Sequence, residues 1–72
     1  MSDIQLFEET TQLWLTSLED GLLDDFDDEI RFQVALGAHY AELCKQNKAT
    51  LTDTGREKLL FSHSELSKIT KA

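Results

Sequence analysis

Apolar side chains recur with a helical period through most of this chain, and the pattern predicts an all-α domain. In the first stretch Ile4, Phe7, Trp14, Leu15, Leu18 and Leu22 fall on one stripe, which Thr11 completes. Glu8, Glu9, Gln12, Thr16 and Glu19 take the other faces, while Leu6 and Leu13 widen the apolar surface beyond a narrow seam. Ser2 marks the start as a cap, with Gln5 placed three residues later as in a capping box and Met1 and Leu6 at the staple positions. Gly21 suits the left-handed residue that closes a helix. A first helix is therefore predicted over about 3–20, with Leu22 and Leu23 offering one further turn.

A second helix is predicted over about 25–46. Asp24, Asp25, Asp27, Asp28 and Glu29, set around Phe26, read as its cap and first turn, where carboxylates face the positive end of the helix dipole. Crowding these acids gives back part of that gain through repulsion. Phe26, Ile30, Val34, Gly37, Ala41 and Cys44 form one stripe, and Phe32, Leu36, Tyr40 and Leu43 form another. Gly37, Ala38 and Ala41 are small enough to let a neighbouring helix come close. Asp27 and Arg31 have i, i+4 spacing, and Lys45 and Lys48 stand near the negative end of the dipole.

After Asn47 the period stops, and Thr50-Leu51-Thr52 reads as a short extended connection. Thr54-Gly55-Arg56-Glu57 supplies a second capping box, and Leu59, Leu60, His63, Leu66 and Ile69 follow a weaker helical period over about 55–70. Ser62 and Glu65 are spaced as a further box, which predicts a bend or break in this third element, and the last few residues are expected to fray. The expected architecture is an antiparallel helical hairpin with a weaker third helix, packed as a small bundle in a single domain over 1–72.

Charge changes this picture. Residues 1–29 hold ten acids and no base, while residues 30–72 hold four acids and all seven bases. The net charge of −7 is thus −10 followed by +3. A one-signed patch selects partners by sign and speeds their encounter. Length matters as well, because a chain of 72 residues buries only about 60% of its unfolded surface and is marginal alone. Cys44 has no second cysteine to pair with, so association is the expected remedy, as a homodimer or as a subunit of a larger complex. The lone thiol and the absence of a signal or membrane-spanning pattern point to the cytoplasm, with no membrane partner.

Candidate chemistry is sparse. His39, Cys44 and His63 have no metal-ligand spacing, and loops starting at Asp20, Asp24 or Asp25 lack the glycine a calcium loop needs, so no metal or cofactor is expected. No nucleophile–base or paired-acid signature stands out, so the chain is not read as an enzyme. Arg56, Lys58, Lys68 and Lys71 are spread without aromatic platforms, and the overall charge opposes nucleic acid. Residues 49–60 resemble the strand-to-helix join of winged-helix regulators over a dozen positions. The second hairpin strand and basic recognition helix of that family have no counterpart, so the resemblance implies no DNA-binding role.

The leading expectation is a small acidic helical interaction module, an adaptor, assembly factor or inhibitor. It would bind a basic protein surface through Glu19, Asp20, Asp24, Asp25, Asp27 and Asp28, with Phe26, Trp14 and an exposed apolar stripe holding the partner. The plainer reading of the acidic run is a solvated, well-capped helix start. A narrower alternative is a DNA mimic that inhibits a nucleic-acid-binding protein. A small nucleic-acid-binding regulator using the basic third helix ranks below it.

Overall fold

The computed structural model describes residues 2–47 and 51–70. Three helices make up the bundle: α1 (Asp3–Asp20), α2 (Asp28–Asn47) and α3 (Asp53–Thr70). A single 3-10 turn, Leu22–Asp25, joins the first two, and each helix packs against the other two. The predicted all-α bundle is what forms, and its third helix packs against both of the others.

Local chemistry sets each boundary. Ser2 caps α1, its hydroxyl accepting from the Gln5 backbone N–H at 3.2 Å. The reciprocal arm of the expected box is not made, because the Gln5 amide donates to Glu9 Oε2 at 3.0 Å. The Met1 half of the expected staple, the placement of Lys48 and Thr50, and the fraying of the last residues lie outside the described residues. Gly21 ends α1 at φ 69°, a conformation that costs a side chain energy but glycine little, and its N–H returns to the Ser17 and Leu18 carbonyls.

The start of α2 differs from expectation. Asp24 and Asp25 belong to the 3-10 turn, Phe26 is extended at φ −89°, ψ 147°, and Asp27 is the cap, accepting from the Ile30 N–H at 3.0 Å. With its carboxylate committed to the backbone, Asp27 is not the ion-pair partner of Arg31. Arg31 instead reaches Asp28 at 2.8 Å and Asp24 at 3.6 Å. At α3 the cap is Thr52 rather than Thr54, since Thr52 Oγ1 accepts from Gly55 N–H at 3.1 Å, and the helix starts at Asp53. Nor does α3 break at Ser62. That hydroxyl is buried and donates to the Val34 carbonyl at 3.1 Å, which ties the middle of α3 to α2.

The core gathers Leu6, Phe7, Ala41, Cys44, Leu51 and Leu59, with Tyr40 packed against it. Small residues set the spacing between α2 and α3. A Cβ on Gly37 would collide with the Ser62 side chain and lie 2.8 Å from the Lys58 carbonyl oxygen, and Gly55 lies directly under the Tyr40 ring. On α1 the buried face coincides only in part with the apolar stripe the pattern suggested, at Phe7 and, half-buried, at Thr11, Trp14 and, just past the helix, Leu22. Leu6, Phe7, Thr10 and Ser17 turn inward, while Ile4, Leu15 and Leu18 are exposed. The side chains of Thr10 and Ser17 are short enough for close helix contact, yet neither hydroxyl makes a hydrogen bond to the protein. On α3 the inward positions are Gly55, Leu59, Ser62 and Leu66, and Leu60 is exposed instead.

Candidate partner-binding corner

The bend between α1 and α2 collects the carboxylates that the charge pattern singled out. Glu19 and Asp20 close α1, Asp24 and Asp25 lie in the 3-10 turn, and Asp27 and Asp28 open α2; all six are exposed. The corner forms because glycine's left-handed turn at Gly21 ends one helix and Asp27 caps the next six residues later, leaving no length to separate the two acidic termini.

Their roles divide. Asp27 holds the end of α2, and Asp24 and Asp28 share the Arg31 guanidinium. Glu19, Asp20 and Asp25 make no ion pair with any described residue. These three carry uncompensated charge at the bend. Exposed charges of this kind act through their field, which salt screens over about 10 Å at 0.1 M.

An indentation of about 250 Å³ lies in the corner, lined by Ser17, Leu18, Gly21, Leu23, Asp24 and Arg31. Leu18 and Leu23 give it an apolar wall, Asp24 and Arg31 a polar rim, and exposed Leu15 lies one helical turn before Leu18. The structure thus places apolar surface beside the carboxylates. Phe26 and Trp14, the aromatic side chains expected to hold a partner, are half-buried.

Two features escaped the sequence reading. Glu9 and His63, 54 positions apart, meet across α1 and α3 at 3.1 Å. Hydrogen bonds from His63 first and Gln5 second hold the Glu9 carboxyl below its ordinary value. No local signal announces a pair so distant in sequence. The second is how the second α2 stripe divides: Phe32, Leu36 and Leu43 stay exposed along the outside of the helix, while Tyr40 packs against the core. Among the described residues, no three His, Cys, Asp or Glu side chains are grouped to hold a metal ion, and no helix is long and apolar enough to cross a membrane. The chain matches no family model, no curated protein and no solved structure.

Proposed function

We propose that this protein is a small acidic interaction module that occupies a basic surface on another protein and performs no chemistry of its own. The observation that carries this reading is the α1–α2 corner, where six exposed carboxylates fall within residues 19–28 and one of them, Asp24, lines an indentation walled by Leu18 and Leu23. The carboxylates steer a cationic surface into register, and the leucines then exclude water from the contact. Charge gives the on-rate and orientation; apolar burial gives the residence time.

The choice of variants follows from the divided roles. Reversing Asp27 removes a helix cap worth about 0.5–2 kcal/mol, and reversing Asp24 or Asp28 disturbs Arg31, so neither isolates binding. Glu19→Lys, Asp20→Lys and Asp25→Lys together change the field without breaking any ion pair or cap in the bundle. Co-purification from a cell extract at low salt should retain a basic protein on the native chain, release it as salt rises, and fail with the triple variant. Equal retention by the triple variant, or binding indifferent to salt, overturns the reading. If duplex DNA competes with the retained protein, the narrower form applies, in which these carboxylates stand in for phosphates.

A further inference from the structure

The outer face of α2 carries Phe32, Leu36 and Leu43 at 61%, 44% and 42% exposure. At 100° per residue these three fall within roughly 40° of arc, so they form one straight ridge. Contiguous apolar rows of this kind mark contact surfaces. Beside the ridge, α2 and α3 leave a groove of about 320 Å³ walled by Leu36, Tyr40, Leu43 and Lys58. A second hollow continues it past Leu36 to Phe61.

We infer that a second copy of this chain covers the ridge, with the two α2 helices antiparallel about a two-fold axis. The first support is register. The point midway between Gly37 and Ala38 lies halfway along α2 and also halfway between Phe32 and Leu43. An axis there sets Phe32 of one copy against Leu43 of the other, and Leu36 against His39. A self-complementary patch of this sort is what an isologous interface requires.

The second support is charge. The first turn of α2 is acidic, with Asp28 and Glu29, and its last turn carries Lys45 and no acid. Antiparallel pairing sets each acidic end beside the acid-free end of the other copy, with the helix dipoles opposed; parallel pairing stacks acid on acid. The third is size. A stable interface takes about 800 Å² from each partner, roughly one sixth of this molecule's 4806 Å². A helix face about 30 Å long with a flanking groove is of that scale. Asp28 borders both surfaces, whereas Glu19, Asp20, Asp24 and Asp25 precede α2 and lie outside the ridge.

Sedimentation across a concentration series, at low and high salt, tests this directly. A monomer–dimer equilibrium should appear and tighten with salt, because salt screens the repulsion between two copies of charge −7. Phe32→Ala and Leu36→Ala should each weaken association about tenfold or more, with far-ultraviolet circular dichroism unchanged because neither side chain belongs to the core. Register is read by oxidative cross-linking: a Phe32→Cys chain mixed with a Leu43→Cys chain should form the mixed dimer in preference to either self-linked product. The native chain, with only buried Cys44, serves as the blank. A strict monomer at all concentrations, a dimer indifferent to Phe32 and Leu36, or preferential self-linking at Phe32 overturns the proposal. Each of these outcomes leaves the corner's binding to a basic partner independently testable, since that binding weakens with salt.

Discussion

The two seams of α3 are built on different physics. Against α2 it is fitted by shape: Gly37 admits Ser62, Gly55 admits Tyr40, and the Ser62 hydroxyl is bonded to the Val34 carbonyl. Against α1 it shares the apolar core, Leu59 lying in one cluster with Leu6 and Phe7, and it adds two polar contacts at the edge, Arg56 on Asp3 at 2.7 Å and His63 on Glu9 at 3.1 Å. The α1 face turned into the bundle includes Thr10 and Ser17, whose hydroxyls have no partner, while Ile4, Leu15 and Leu18 stay outside. A shape-fitted seam is short-range and indifferent to ions. Part-exposed polar contacts such as Arg56–Asp3 and His63–Glu9 yield to salt and acid. The contacts that salt and acid should weaken first are therefore those between α1 and α3.

Substitution can break that contrast, and the largest effect is expected on the shape-fitted side. Gly37→Val drives carbon into the Lys58 carbonyl, which belongs to helix backbone and cannot retreat, so a loss of about 3 kcal/mol is expected in urea melts. Gly55→Ala meets only the end of the Tyr40 ring, which can swing away, and alanine's helix propensity offsets part of the cost; about 1 kcal/mol is expected. On the α1 side, Ser17→Ala should act in the opposite direction. It removes an unpaired buried hydroxyl and raises melting stability by about 1 kcal/mol.

Smaller effects sharpen the comparison. Asp3→Ala breaks the pair with Arg56, and because both groups are partly exposed the loss should be roughly 0.2–1 kcal/mol, fading in high salt. The smallest effect is the pH dependence of Glu9. Its carboxyl titrates below the ordinary 4.5 in the folded state, so the contribution is present above that value and lost as pH falls through the lowered one. The difference in melting temperature between the native chain and His63→Ala should shrink as acid is added below pH 4.5. A difference that grows in that range contradicts the assignment.

Much of this architecture was legible because the signals are local. Ser2 and Gly21 bracket α1 through bonds that span four residues or fewer, and the second stripe of α2 identified Phe32, Leu36 and Leu43 before any packing was known. Where several groups compete for one role, the sequence pattern leaves the choice among them open. Five carboxylates lie near the α2 start, and which one caps depends on the 3-10 turn after Gly21; the period of α2 carries no trace of that turn. On α1 an apolar stripe was visible, but the inward face was decided by what α2 and α3 present. The positions buried there are Leu6, Phe7, Thr10 and Ser17, and Leu15 and Leu18 stay exposed. The corner's charge was legible for the same local reason, whereas the half-burial of Trp14 and Phe26 depends on contacts between elements.

Cys44 is sealed among Leu6, Phe7, Leu51 and Leu59 on the inner face of α2. Its sulfur is consequently a built-in clock. A thiol reagent added to the native protein can reach it only in molecules that have transiently opened, so the alkylation rate measures how often this core comes apart. Because Leu6 and Phe7 of α1 form part of the lid over that sulfur, the same stopwatch should run faster whenever the first helix lifts away.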